Sequence, residues 1–118
     1  MTVLLVEENS AVRRVIRHLL TSPETWIQEC ANGADAIEAY GASRPDFVIM
    51  DLGVKDLDGI AVSKQIKAMD PAAKIVLVSD YDDAGLRESA RDAGACGYVL
   101  KDNLLEVTGL LTAFSARD

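Results

Sequence analysis

Short apolar segments alternate with amphipathic segments along the whole chain. The apolar segments are "TVLLV" (2–6), "TWIQEC" (25–30), "DFVIM" (46–50), "KIVLV" (74–78) and "GYVL" (97–100). The first, third and fourth are nearly continuous, which is typical of strands covered on both faces. The second alternates instead and suits an outer strand. Five strands are therefore predicted, with the second at the periphery of the sheet.

The intervening segments have helical spacing, because their apolar residues recur every three or four positions. These stripes contain Val12, Val15, Ile16, Leu19 and Leu20; Ala34, Ile37 and Ala39; Ile60, Val62 and Ile66; Leu86, Ala90 and Ala93; and Leu104, Val107, Leu110, Leu111 and Phe114. End signals accompany them: a cap at Asn9 or Ser10, a Met69-Asp70-Pro71 stop, a C-terminal Gly94, and a cap at Asp102 or Asn103. Strand–helix alternation predicts an α/β fold, a parallel sheet with helices on both faces.

Length and composition agree with one globular domain covering residues 1–118, with no effector domain in this chain. Hydrophobic residues make up 49% of the chain and charged residues 26%. No apolar run is long enough to span a bilayer and the start does not resemble a signal peptide, so the default expectation is a cytoplasmic protein. The net charge of −7 argues against direct nucleic-acid binding by this domain. Cys30 and Cys96 lack metal-ligand spacing and are expected to be small reduced hydrophobes.

Polar side chains follow the central strands at the points where these strands end. They are Glu7 and Glu8 after the first strand, Asp51 after the third, Ser79 and Asp80 after the fourth, and Lys101 after the last. Because parallel strands point the same way, their carboxyl ends share one edge of the sheet, where α/β folds bind ligands. We therefore expect these side chains to converge.

Carboxylates that crowd together must protonate, separate or bind a cation. Mg²⁺ is the natural cation, because it takes oxygen ligands and keeps several waters. A lysine and a hydroxyl facing the same place add donors that can hold a phosphoryl group. An aspartate at this edge can itself act as the nucleophile and become an aspartyl phosphate.

Four motifs carry a resemblance to a known family: "LLVEEN", "VIMDLGVKDLDG", "IVLVSD" and "GYVLKD". In this order and at these spacings, the chain resembles the receiver domains of two-component response regulators over essentially all of its 118 residues. "GYVLKD" looks like the subgroup that often carries a C-terminal helix-turn-helix. The resemblance implies a flavodoxin-like, doubly wound (βα)5 fold with five parallel strands in the order 2-1-3-4-5.

The resemblance also implies roles for individual residues. Asp51 is the phosphoacceptor, Glu7, Glu8, Asp51 and the Gly53 carbonyl hold Mg²⁺, Ser79 is the switch hydroxyl, Lys101 binds the phosphoryl group, and Tyr98 reorients with Ser79. The implied partner is a sensor histidine kinase or a phosphotransfer protein, with a homodimer possible and no membrane contact. The implied role is regulatory rather than enzymatic, beyond Mg²⁺-dependent self-phosphorylation and self-dephosphorylation.

The sequence departs from the family pattern at several site positions. Both members of the acidic pair are glutamates, Lys55 replaces a usual proline, Asp80 replaces a usual small residue, and Gly53 leaves its position without a side chain. A pseudo-receiver that binds proteins without phosphate chemistry therefore stays open as an alternative. A flavodoxin-like enzyme or flavin carrier is a second alternative, although no phosphate-binding loop follows the first strand.

Simpler structural roles stand beside these functional ones. Ser79 taken alone suits a turn-forming hydroxyl, Lys101 a solvated lysine, and Tyr98 a half-buried strand aromatic. Arg13, Arg14, Arg17 and His18 form a basic patch on the first helix. A solvated helix face is the favoured interpretation of that patch, and a docking surface for a kinase is the alternative.

Overall fold

The computed structural model describes residues 1–53 and 57–115, in which strands and helices alternate as the pattern predicts. The strands are β1 (Thr2–Val6), β2 (Trp26–Cys30), β3 (Phe47–Asp51), β4 (Ile75–Ser79) and β5 (Gly97–Leu100). The helices are α1 (Ser10–Leu20), α2 (Gly33–Ser43), α3 (Gly59–Met69), α4 (Ala84–Asp92) and α5 (Leu105–Ser115). The last three residues of the expected 1–118 domain lie outside the described residues.

All neighbouring strands pair in parallel, in the order β2-β1-β3-β4-β5. This order is the one that the resemblance implies, with "TWIQEC" at one edge as its alternating pattern predicts. The register aligns Val6 with Met50, so the next residues along, Glu7 and Asp51, lie side by side at the carboxyl edge of the sheet. The order and register therefore decide which polar residues meet.

Apolar side chains from both faces of the sheet form two core layers. One layer joins the sheet to α2 and α3 and includes Leu4, Val6, Met50, Val62 and Ile66; the other joins it to α1 and α5 and includes Leu5, Ile16, Ile49, Val107 and Leu111. The central strands carry side chains into both layers, which is why they are nearly continuously apolar. This burial fixes the strands whose ends carry the polar residues.

The predicted helix ends are confirmed at three helices. Asn9 begins α1, and its side chain accepts hydrogen bonds from the Ala11 and Val12 amides at 2.9 and 3.1 Å. Asp70 follows the last residue of α3. Gly94 adopts φ +93 just after α4, a left-handed conformation in which glycine is strongly favoured.

Two details of the helix predictions are wrong. Val15 was placed in the buried stripe of α1, yet it is 49% exposed, because Ile16 and Leu20 are the residues that α1 buries. Ala34 was placed in the stripe of α2, yet it is exposed, and Ala36, Ala39 and Tyr40 take its role. Both errors come from apolar residues that lie beside the buried face.

The start of α5 also has a different structure from a simple capped end. Lys101–Asn103 form a 3-10 turn, and α5 begins after it at Leu105. This turn directs the chain away from the sheet immediately after β5. It places Lys101 at the carboxyl edge.

No described helix has both the length and the apolar character required to cross a membrane.

Candidate functional site

Lys101 is the cation around which the site is organised. Its Nζ lies 3.1 Å from Glu7 Oε1 and 3.4 Å from Asp51 Oδ1, with Asp80 Oδ2 farther off at 3.9 Å. The Lys101 side chain is only 16% exposed, so it is not the solvated lysine of the simpler interpretation. The predicted convergence of residues after β1, β3, β4 and β5 is therefore present in the structure.

Glu7 is the most deeply buried acidic residue of the site, at 1% exposure. Its Oε2 accepts a hydrogen bond from the Asn9 amide at 3.1 Å. Within the described part of the chain its Oε1 has no hydrogen-bond partner, and its contact is the ion pair with Lys101 Nζ at 3.1 Å. A buried carboxylate oxygen without a hydrogen bond is costly and is a position where a cation would be favoured.

The pKa shifts of Glu7 and Lys101 follow from their burial and from the charges of neighbouring side chains. Burial raises the pKa of Glu7, and the neighbouring Asp51 adds to this, while the Asn9 amide and Lys101 oppose it. Burial would lower the pKa of Lys101, but Glu7, Asp51 and Asp80 together hold it above its usual value. The pocket thus keeps its lysine charged and leaves Glu7 easier to protonate than an ordinary glutamate.

A Glu7→Gln variant is expected to be more stable than the wild type at neutral pH in metal-free buffer. The folded-state pKa of Glu7 lies above its ordinary value of 4.5, so ionising Glu7 costs more free energy in the folded than in the unfolded protein. That cost is fully present above the folded-state pKa and is lost as the pH falls below 4.5. The free energy of unfolding in urea should be measured for the variant and the wild type at neutral pH and below pH 4.5. The advantage of the variant should shrink at the lower pH.

The matched control is Glu8→Gln, which removes the same charge from the neighbouring, exposed position. It should change the free energy of unfolding little at either pH. A Glu7→Gln protein less stable than the wild type at neutral pH would show that the ion pair with Lys101 outweighs the burial of Glu7.

Asp51 is held at the end of β3 by a tight turn. Its side chain is 12% exposed, and its Oδ1 accepts a hydrogen bond from the Gly53 amide at 3.2 Å. The chain then returns so closely that the Gly59 amide donates to the Leu52 carbonyl at 2.7 Å. Asp58 accepts a hydrogen bond from the Ala61 amide at 2.9 Å and is the N-cap of α3.

Ser79 and Tyr98 are joined through the main chain of Tyr81. Ser79, 2% exposed, accepts a hydrogen bond from the Tyr81 amide at 3.0 Å, so it does form the turn of the simpler interpretation. The Tyr98 hydroxyl donates to the Tyr81 carbonyl at 2.7 Å. The Arg87 guanidinium lies 4.7 Å from the centroid of the Tyr98 ring. These contacts link the end of β4 to β5 and α4.

A cleft of about 610 Å³ opens beside Asp51, between the amino end of α3 and α4. Its polar lining includes Asp51, Asp58, Ser79 and Asp80. The other residues that line it are Leu52, Gly53, Ile60, Lys64, Tyr81, Leu86 and Ser89. The Asp51 carboxylate therefore borders a cleft that is open to solvent.

Some predicted site residues are not brought into this cluster. Glu8 is exposed, and its carboxylate makes no hydrogen bond or ion pair with another described residue. Within 1–53 and 57–115, no three histidine, cysteine, aspartate or glutamate side chains are arranged as a metal site. Lys55 lies outside the described residues. Gly53, by contrast, lies beside Asp51, where it is exposed and lines the cleft.

Two contributors escaped the sequence interpretation. Arg13 was assigned to a solvated face, yet its Nη1 donates to the Glu7 main-chain carbonyl at 2.6 Å. Tyr81 had no assigned role. A serine hydroxyl often accepts a hydrogen bond from the amide two residues later, so the position of Ser79 could have indicated the contact with Tyr81. The Arg13 contact has no local signal, because helix α1 must first pack against β1.

Comparisons with known proteins agree with this geometry. The family model described as "Response regulator receiver domain" matches residues 3–111. The chain is 33% identical to the chemotaxis protein CheY of Halobacterium salinarum, over 84% of this chain and 82% of that protein. It is 32% identical to CheY of Bacillus subtilis, over 88% of this chain and 91% of that protein.

A solved structure is similar over nearly the whole fold. A two-component response regulator of the LuxR family from Aurantimonas sp. SI85-9A1 superposes with a TM-score of 0.90 at 30% identity. The alignment covers 98% of this chain and 84% of that one.

Proposed function

This chain belongs to the response regulator receiver domain family, and from that premise we propose that it accepts a phosphoryl group on Asp51 and thereby changes its protein contacts. The observation that carries the proposal is the position of Lys101, whose ammonium lies 3.4 Å from Asp51 Oδ1 and 3.1 Å from Glu7 Oε1. A half-buried carboxylate beside a fixed cation has the elements of a phosphoacceptor site. The role is regulatory, in two-component signalling.

For transfer of the phosphoryl group, the protein has mainly to position the reacting groups and to stabilise the phosphoryl charge. A carboxylate oxygen of Asp51 attacks the phosphorus of a phosphohistidine on a sensor kinase or phosphotransfer protein. The P–N bond breaks, and the imidazole leaves with the electron pair of that bond and takes up a proton. Lys101 offers its ammonium to the transferred phosphoryl oxygens. The Gly53 amide, already a donor to Asp51 Oδ1, orients the nucleophile.

The residues present fit a magnesium ion in part. Glu7 and Asp51 lie on the same side of the site, each beside the Lys101 ammonium, and Glu7 Oε1 is buried without a hydrogen bond. We propose Glu7, Glu8, Asp51 and the Gly53 carbonyl as the groups that hold Mg²⁺, with water completing its shell. The ion would neutralise part of the phosphoryl charge. Glu8, exposed in this structure, would have to turn toward the site.

The contacts of Ser79 suggest how the modification reaches the surface. We propose that the phosphoryl group draws the Ser79 hydroxyl away from the Tyr81 amide, its present donor. Tyr81 also accepts from Tyr98, so a change in this loop alters the contacts of Tyr98 with α4. The face formed by α4, β5 and α5 would then change its affinity for a partner or a second copy.

Three positions are proposed to modulate the reaction. Asp80 is exposed at the rim and reaches Lys101 at 3.9 Å, so it competes weakly with the phosphoryl group and repels anionic donors. Gly53 leaves the mouth open to water, which favours hydrolysis of the aspartyl phosphate. Lys55, outside the described residues, adds a second cation to the loop after β3.

The pseudo-receiver remains the second candidate function, motivated by the Glu7–Glu8 pair and by Asp80. We favour the phosphoacceptor because Asp51, Ser79 and Lys101 line one connected site. The decisive experiment incubates the protein with Mg²⁺ and acetyl phosphate or phosphoramidate and measures the intact mass. We expect the gain of one phosphoryl group. An unchanged mass with both donors would instead favour a phosphorylation-independent binding module.

A further inference from the structure

Arg13 contacts the main chain of the buried glutamate beside Asp51. Its Nη1 donates to the Glu7 carbonyl at 2.6 Å, reaching back six residues from the first turn of α1. The Arg13 side chain is only 25% exposed. The contact therefore joins α1 directly to the end of β1, where the site begins.

A second contact keeps the Arg13 side chain in this position. Its Nε lies 3.2 Å from Glu29 Oε1, and Arg17 Nη1 donates to Glu29 Oε2 at 3.0 Å. Arg13 and Arg17 lie one helical turn apart on α1, so they share one face. Glu29 lies on the edge strand β2. The Glu29 carboxylate thus contacts two guanidinium groups. Moving Arg13 away from the Glu7 carbonyl would also change its ion pair with Glu29.

The other polar atoms of Glu7 show what the Arg13 contact adds. The Glu7 amide donates to the Cys30 carbonyl at 3.0 Å, and Oε2 accepts from the Asn9 amide. With the Arg13 bond, the two peptide planes that flank the Glu7 Cα are each held by a hydrogen bond, the preceding plane through the Glu7 amide and the following plane through the Glu7 carbonyl. These two planes set the main-chain conformation of Glu7 and hence the direction in which its side chain leaves the main chain.

Fixing these planes matters because glutamate is a flexible ligand. Each glutamate has one more rotatable bond than an aspartate at the same position, so ordering its carboxylate costs more conformational entropy. A fixed main chain leaves only the side-chain torsions to be ordered when a metal binds. The planar guanidinium can donate to the Glu7 carbonyl and the Glu29 carboxylate together, whereas the single ammonium of a lysine lacks that rigid fork.

We propose that Arg13 is a positioning residue for the acidic half of the phosphoacceptor site, acting through the Glu7 carbonyl with Glu29 as its anchor. This role rests on the proposed function only in that Glu7 binds Mg²⁺. Arg13 orients the ligand and does not touch the reacting groups.

The test measures Mg²⁺ affinity by calorimetry without a phosphoryl donor. Arg13→Gln is expected to weaken Mg²⁺ binding roughly 10-fold, the usual effect of removing a group that orients a metal ligand. Arg13→Lys should weaken it similarly, because it keeps the charge but loses the fork. Glu29→Gln should have a smaller effect in the same direction. In the metal-free protein, Arg13→Gln should also move the NMR resonance of the Glu8 amide.

The matched control is Arg14→Gln, which removes the same charge from the adjacent, exposed position. It should leave the Mg²⁺ affinity and the Glu8 resonance unchanged. Wild-type affinity in Arg13→Gln, or in Arg13→Lys, would overturn the positioning role, even if either variant melts at a lower temperature. Equal weakening by Arg14→Gln would do the same.

The failure of this inference can be told apart from failure of the proposed function. A wild-type protein that binds Mg²⁺ but gains no phosphoryl mass would overturn the phosphoacceptor function and leave the role of Arg13 standing. A wild-type protein that binds no Mg²⁺ would overturn the role of Arg13 as well.

Discussion

An Asp51→Asn protein is expected to gain no phosphoryl mass from acetyl phosphate and Mg²⁺. The carboxamide that replaces the carboxylate is a poor nucleophile and cannot form an aspartyl phosphate. The loss should be complete, since the side chain itself forms the new bond. Intact-mass spectrometry of the variant and the wild type under identical conditions measures it directly.

The substitution is not expected to unfold the protein. Asp51 raises the pKa of Glu7 by repulsion, so removing its charge relieves part of the acidic crowding in the pocket. Asp58→Asn is the matched control, because Asp58 lines the same cleft and asparagine caps a helix about as well as aspartate. Asp58→Asn should be phosphorylated normally. A phosphoryl group that still appears on Asp51→Asn would identify a different acceptor.

A Gly59→Ala substitution is expected to destabilise the protein by about 3 kcal/mol, because it over-packs a main-chain contact. A Cβ at Gly59 would lie 2.7 Å from the Asp51 carbonyl oxygen and 2.9 Å from Leu52 Cα. Both are main-chain atoms at the end of β3 and cannot move aside by rotating a side chain. Chemical denaturation with urea measures the loss.

The same substitution should slow phosphorylation on the order of 10-fold, because displacing the end of β3 displaces the nucleophile. Gly41→Ala is the matched control. Gly41 lies within α2 with no atom within 4 Å of the added Cβ. It should stabilise the helix by up to about 1 kcal/mol and leave phosphorylation unchanged. A Gly59→Ala protein with wild-type stability and rate would show that the turn after β3 yields easily.

The sequence predicts the fold so well because its signals are local and agree with one another. The continuous apolar run at β3 is typical of a strand covered on both faces, and the alternating run at β2 suits an edge. Asn9 and Gly94 mark helix ends with side-chain and backbone chemistry that needs no tertiary contact. Where a helix has apolar residues beside its buried face, as at Val15, periodicity alone cannot select the stripe.

The sequence predicted which residues would collect at the site but not how their side chains would be arranged. Polar residues at the ends of parallel strands must meet at one edge, which is why Glu7, Asp51 and Lys101 could be grouped from their positions. Their burial and pairing depend on how far each side chain reaches once the sheet is built. Glu8, the immediate neighbour of Glu7, has the same side chain yet is exposed, because it lies in a bend after the end of β1.

By itself, then, the sequence determined the strand and helix order and the edge of the sheet at which polar residues collect, because these follow from periodicity and chain direction. Only the tertiary structure decided that Lys101 would lie between Glu7 and Asp51, and that Arg13 would turn inward to the Glu7 carbonyl. These contacts join residues far apart in sequence or on different elements. They depend on the register of β1 with β3 and on the packing of α1, which no local pattern specifies.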